Sequence, residues 1–178
     1  VNVFQVGFQC AEDYVSRREP HRRAHLERLE GLRRAGAVIG GGPAPDGRTA
    51  QIVYRLQRPE HLKLVVEEDP YWTSGAWTGY TPRSFAEFVE PWELPALVLD
   101  GSRQATVVEG GVADRDMAQF ALIELRGAGR LAFGGVFEDG TSWALCPTAD
   151  AAAAAGWFEA TGFWVPGSLV THPLLHVL

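Results

Sequence analysis

Histidine is the one side chain whose unperturbed acidity places its proton exchange near neutral pH, so the search for chemistry begins with the five histidines. His21 and His25 sit four residues apart in Glu19–Ala35, a segment whose apolar positions repeat with helical spacing. His25 falls on the inward stripe His21, His25, Leu29, Leu32, with Arg17, Arg18, Arg22, Arg23 and Arg28 on the other faces. A histidine there can serve as general acid or base; the plainer role is a hydrogen-bonded core side chain. The His21/His25 pair also has the spacing of two metal ligands. It lacks the Glu of a zincin motif, has no third ligand nearby and is interleaved with arginines that oppose a cation, so no metal is expected. Asp69, directly before Pro70, is the second candidate: a carboxylate on one imidazole nitrogen fixes the tautomer and supports a transient imidazolium. Asp-Pro is equally a common helix stop. No Ser or Cys stands in a nucleophile elbow, and Gly40–Gly42 is neither a dinucleotide fingerprint nor a P-loop, so no cofactor is expected.

The elements that must position these residues follow from periodicity. Val1–Gln9 alternates, with Phe4, Val6 and Phe8 on one side, and predicts a half-buried strand. The Glu19–Ala35 helix has Pro20 in its first turn and Gly36 beyond its end. Strands at Ala37–Gly42 and Thr49–Leu56, a helix from Pro59 to about Glu68, and a strand at Ser84–Glu90 complete the order β-α-β-β-α-β of a ferredoxin-like unit. The second half repeats that order: a strand at Ala105–Glu109, a helix at Asp114–Ala128, a hairpin of Leu131–Phe137 with Ser142–Cys146, a helix at Asp150–Thr161 and a strand at His172–Leu178.

A shift of 93 residues lays Leu32-Arg33 on Leu125-Arg126, Ala35-Gly36 on Ala128-Gly129, Gly41-Gly42 on Gly134-Gly135 and Asp46-Gly47 on Asp139-Gly140. Eight of the sixteen positions 32–47 are identical at that shift, where unrelated segments give roughly one. Two repeats are therefore expected, 1–92 and 96–178, joined through Pro91–Pro95. Each has one sheet face covered by helices and one bare. Packing the bare faces together predicts an α+β fold: two ferredoxin-like repeats, sheet to sheet, forming an α/β barrel within one chain.

Composition sets the outer bounds. With 46% hydrophobic and 21% charged residues the chain is not of the disordered class. A formal net charge of −6 argues against nucleic acid as partner. No apolar run approaches the roughly 20 residues of a spanning helix, so no membrane is expected. Cys10 and Cys146 show neither disulfide nor metal spacing, and the N-terminal segment has no signal pattern; a cytoplasmic location is expected. Charge is uneven: residues 1–93 carry 12 basic and 13 acidic side chains, and residues 94–178 carry 4 and 9. Aromatic residues crowd the stretch after Asp69 (Tyr71, Trp72, Trp77, Tyr80) and its counterpart (Trp157, Phe158, Phe163, Trp164). They can be packing, or the wall of a pocket for an aromatic or polyketide-like molecule.

The first half, residues 1–92, resembles the YciI-like (YCII-related) proteins of the dimeric α/β-barrel superfamily. The resemblance rests on Arg23-Ala24-His25-Leu26-Glu27-Arg28-Leu29, Gly41-Gly42-Pro43-Ala44-Pro45, and Asp69-Pro70-Tyr71 followed by Gly75, in the family's order and spacing. It implies that His25 and Asp69 form a catalytic dyad, and a dehydrochlorinase branch of the family implies elimination by acid–base chemistry. The second half departs from the pattern: the 93-residue shift lays His25 on Ala118 and Asp69 on Gly162. One working site is expected, with the other half as scaffold or pocket wall.

The expected activity is thus a cofactor-independent lyase or isomerase acting on an aromatic or polyketide-like small molecule. His25 would be acid or base and Asp69 its partner, with Arg22 or Arg23 on an anionic oxygen and Tyr71, Trp72 and Trp77 around the ring. A cofactor-free monooxygenase and a non-catalytic small-molecule binder are the alternatives, and either a monomer or a homodimer is compatible with the repeats.

Overall fold

Strand β1 (Asn2–Cys10) divides its side chains as alternation requires. Phe4, Val6 and Phe8 pack under helices, while Val3 faces a second core on the opposite side of the sheet. The computed structural model describes residues 1–178. After β1 come α1 (Tyr14–Arg18), a 3-10 turn (Glu19–His21), α2 (Arg22–Arg34), β2 (Val38–Pro43), β3 (Thr49–Leu56), α3 (His61–Glu67), α4 (Pro70–Thr73) and β4 (Trp77–Val89). The second half contributes β5 (Gln104–Gly111), α5 (Arg115–Gly127), β6 (Phe133–Phe137), β7 (Thr141–Cys146), α6 (Ala151–Glu159) and β8 (Val170–Leu175).

The eight strands form one antiparallel sheet in the order β2-β3-β1-β4-β6-β7-β5-β8. Numbered within each half, that is 2-3-1-4 followed by 2-3-1-4: the ferredoxin-like connectivity occurs twice, as expected for the fold. The two sets join where β4 pairs with β6, Phe85 opposite Phe137 and Val89 opposite Gly134. At the other end the segment after β8 returns to β2, where Val177 N–H and Leu178 N–H both donate to the Gly41 carbonyl at 3.1 Å. The sheet thereby closes into a barrel with helices outside.

Both seams carry the Gly-Gly pair seen at the 93-residue shift, and the backbone approach explains why. A Cβ on Gly42 would lie 1.8 Å from the Leu175 carbonyl oxygen, and one on Gly135 would lie 2.1 Å from that of Glu87. The shared Asp-Gly pairs are matching hairpin turns. Asp46 Oδ1 accepts from Arg48 N–H and Asp139 Oδ1 from Thr141 N–H, with Gly47 and Gly140 at φ 70° and 82°.

Three apolar cores result. One lies between the sheet and the helices of the first half, one occupies the same layer in the second half, and the third fills the barrel with residues of both halves, including Val53, Phe85, Phe133, Trp143 and Leu174. Differences from the predicted elements are local. The first helix is preceded by α1 and a 3-10 turn over Pro20, and its third buried position is Arg33, while Leu32 is only partly covered. Asp114 and Asp150, expected as first helical residues, are N-caps that accept from Met117 N–H and Ala153 N–H. Strand β4 starts at Trp77, seven residues before the predicted Ser84, because it pairs along β1 before crossing to β6.

Candidate active site

His25 lies in the second turn of α2, 6% exposed, on the face that turns toward the sheet. Asp69 N-caps α4 in extended backbone (φ −70°, ψ 136°), the conformation favoured before Pro70, and is fully buried. The two meet across the helix layer: His25 Nδ1 stands 2.7 Å from Asp69 Oδ1, and the same oxygen accepts the Tyr71 N–H at 2.8 Å. With Nδ1–H donating to the carboxylate, the lone pair is on Nε2, which has no partner within the protein; His25 lines a cleft. Tyr71 stacks on the imidazole (3.6 Å between centroids, 12° between planes) and Trp77 meets it edge-on at 5.2 Å. The ring therefore has one orientation. Asp69 Oδ2, the Tyr54 hydroxyl and the Trp77 indole N–H are buried beside it without hydrogen-bond partners.

The cleft is narrow and open to solvent on one side, and most of its lining residues are hydrophobic. Arg18 and Arg22 line it beside His25, and neither forms a salt bridge. The arginine ion pairs of the first-half helices use other arginines, such as Arg17–Asp13 and Arg28–Glu68. Arg18 sits over the Tyr14 ring at 4.9 Å, and Arg22 donates to the Leu99 carbonyl. Burial pushes the hydroxyls of Tyr14 and Tyr71 above the usual phenol range, so neither is a base near neutrality. Leu99, Val177 and Leu178 form one wall. They belong to the connection and the last segment, so the second half does contribute to the cleft.

Of the residues expected at the site, His25, Asp69, Arg22, Tyr71 and Trp77 come together. Arg23 does not: two positions before His25 on a helix it points nearly opposite, and it pairs with Glu27 in solvent. Trp72 turns sideways from the single helical turn of α4 and packs against Tyr80. Arg18 and Tyr14 were missed because α1 reads as a polar connection; their i, i+4 spacing ahead of the helix was the available signal. In the second half the corresponding place is filled: Ala118 and Phe158 are fully buried there, and Trp164 donates its indole N–H to Ser142. No three His, Cys, Asp or Glu side chains converge anywhere as a metal site, and His21 does not line the cleft.

A closed α+β barrel of two ferredoxin-like connectivities places the chain in the dimeric α/β-barrel class, here contained in one chain. A candidate monooxygenase of Lactobacillus acidophilus NCFM has the same fold (TM-score 0.62, 12% identity, 99% of this chain and 94% of that one), as does one of Fusobacterium nucleatum (TM-score 0.53, 10%, 100% and 93%). The 5-chloro-2-hydroxyhydroquinone dehydrochlorinase of Burkholderia phenoliruptrix AC1100 matches 51% of this chain and 93% of its own at 18% identity and a TM-score of 0.40. Residues 7–86, the segment holding His25 and Asp69, match the model of the YCII-related domain. No curated protein matches the sequence.

Proposed function

We propose that the protein is a cofactor-independent lyase or isomerase in which the His25–Asp69 pair moves a proton on an anionic aromatic or polyketide-like small molecule. The observation that carries this is the buried 2.7 Å contact between His25 Nδ1 and Asp69 Oδ1, which leaves Nε2 to the cleft beside two guanidinium groups that face no carboxylate. Nε2 takes a proton from substrate carbon or hydroxyl, and Asp69 stabilises the imidazolium that forms. Arg18 and Arg22 hold the phenolate, enolate or carboxylate oxygen on which charge develops. The proton then returns at another carbon, giving an isomer, or stays on His25 while a leaving group departs with the electron pair and a double bond remains. Tyr71 and Trp77 keep the imidazole in register throughout.

The test is turnover of a panel of hydroxylated and chlorinated phenols, with chloride release, solvent deuterium exchange and oxygen uptake followed in parallel. His25→Ala and Asp69→Asn are expected to abolish exchange and release, and Arg18→Gln to raise KM for the anionic substrates. Wild-type turnover in both dyad variants refutes the mechanism. Stoichiometric oxygen uptake would replace it with cofactor-free oxygenation, and a tight ligand without turnover would leave a binding protein.

A further inference from the structure

The polar atoms behind the dyad are unevenly matched. Asp69 Oδ1 takes both the Tyr71 N–H and the imidazole, while Oδ2 is enclosed and accepts from no group of the protein. Tyr54, on β3 beneath the helices, is fully buried, and the charged groups that bear on its hydroxyl are Asp69 and Arg28. That hydroxyl has no acceptor in the protein. Arg28 turns Nη2 to the Leu64 and Val65 carbonyls and to Glu68, and its Nε is left enclosed without an acceptor as well. Burial, reinforced by the negative charge of Asp69, pushes the Tyr54 hydroxyl well above the phenol range, so it keeps its proton and has it to donate.

A phenol is a poor choice for filling this place alone. Tyr54 shares the first apolar core with Leu62, Val66 and Tyr71, a role that phenylalanine would serve without a polar atom. A buried hydroxyl or carboxylate oxygen left unsatisfied destabilises the fold. Here one unused acceptor lies among unused donors, and an internal water, which needs two to four polar partners, matches that set. The internal repeat points the same way. The 93-residue shift lays His25 on Ala118, Asp69 on Gly162, Arg28 on Ala121 and Tyr54 on Pro147. The half without the dyad has lost the phenol and the guanidinium along with it.

We propose that Tyr54 is a positioning residue of the dyad: through one internal water its hydroxyl anchors Asp69 Oδ2 and so keeps Oδ1 turned to His25. The inference rests on the acid–base reading above and extends the pair to a chain of Tyr54, water, Asp69 and His25, in which only the imidazole meets substrate. The water donates to Oδ2 and accepts from Tyr54, with Arg28 Nε as its second donor. No proton passes along the chain, since Tyr54 stays protonated throughout. Its part is to hold the carboxylate in one orientation. Without the hydroxyl Asp69 is free to turn about its Cβ–Cγ bond, and the imidazolium loses a fixed partner at the moment it forms.

The experiment compares the native protein with Tyr54→Phe, which removes one oxygen and keeps the ring, and with Val66→Ala, which loosens the same core without touching a polar group. Proton NMR follows the His25 Nδ1–H in the absence of substrate. Its resonance is expected to move upfield in Tyr54→Phe, as the bond to Asp69 weakens, and to stay in place in Val66→Ala. In an Asp69→Asn background Tyr54→Phe should move it no further. Crystals of the native protein are expected to show an ordered water on Asp69 Oδ2 that is missing from Tyr54→Phe. With a phenol that the native protein converts, kcat should fall at least about tenfold in Tyr54→Phe at unchanged KM. An unmoved His25 proton in Tyr54→Phe, an equal displacement in Val66→Ala, or no ordered water on Oδ2 in the native crystal would each overturn the inference. The resonance and the density need no substrate, so they decide the part of Tyr54 separately from the reaction, which a failure of every phenol to turn over would refute by itself.

Discussion

If Asp69 belongs to His25 rather than only to the end of α4, the two side chains must be coupled energetically, and this can be measured without a substrate. His25→Ala leaves the Asp69 carboxylate fully buried with the Tyr71 N–H as its sole partner, and empties the slot between Tyr71 and Trp77. Removing one member of a buried pair costs about 3–5 kcal/mol. Asp69→Asn keeps an oxygen for both Tyr71 N–H and His25 Nδ1–H but adds an amide NH2 where Oδ2 has no partner, a cost of about 2 kcal/mol. In the double variant no buried charge is stranded, so its loss should fall short of the sum of the single losses by about 2 kcal/mol. Urea unfolding followed by tryptophan fluorescence reads all four corners of the cycle. Additivity within about 0.5 kcal/mol would show that Asp69 is a helix cap and nothing more.

Two further outcomes concern the barrel and its acid response. Gly42→Ala forces the β8–β2 seam apart and is expected to cost more than about 3 kcal/mol, whereas Gly31→Ala, on α2 with nothing within 4 Å of the added Cβ, should stabilise by about 1 kcal/mol; urea midpoints compare them. His176 is held neutral by burial and by Arg103, which bring its acidity down to about 4. The unfolded imidazole takes up its proton from about pH 6.5, so between these values the unfolded chain binds more protons and acidification destabilises the fold. That effect amounts to about 2 kcal/mol between pH 7 and pH 5, is checked by denaturation at both, and should vanish in His176→Phe.

The fold was legible because its signals were local and doubled: the helix stops, the Asp-Gly turns and the Gly-Gly pairs each occur twice at one shift. What those glycines face was not legible, since the Leu175 and Glu87 carbonyls lie across seams between strands far apart in the chain. His25 and Asp69 were readable as residue types and by family resemblance. That Arg22 and not Arg23 shares the His25 side follows from helix geometry and was open to inference. Arg18 left only the faint signal of its spacing from Tyr14, since α1 is five residues long, and the roles of Leu99, Val177 and Leu178 left none, because that wall is built by tertiary return of the chain. The surroundings of Tyr54 were hidden for the same reason. It is one inward position of an alternating strand, and only the packed helix layer brings Asp69 and Arg28 to its hydroxyl.

The Gly41 carbonyl that receives Val177 and Leu178 also has a bearing on solubility. A sheet that ends in solvent offers rows of unsatisfied peptide groups to any passing strand and invites uncontrolled association. Here β4 pairs with β6, and the segment after β8 covers the β2 margin at Gly41, so the exposed rows are shortened at both seams. Either half cut free would regain two exposed margins along with a bare apolar face. The polypeptide is thus sheltered from aggregation only as a whole, and that shelter hangs on a few glycines where a methyl group would not fit.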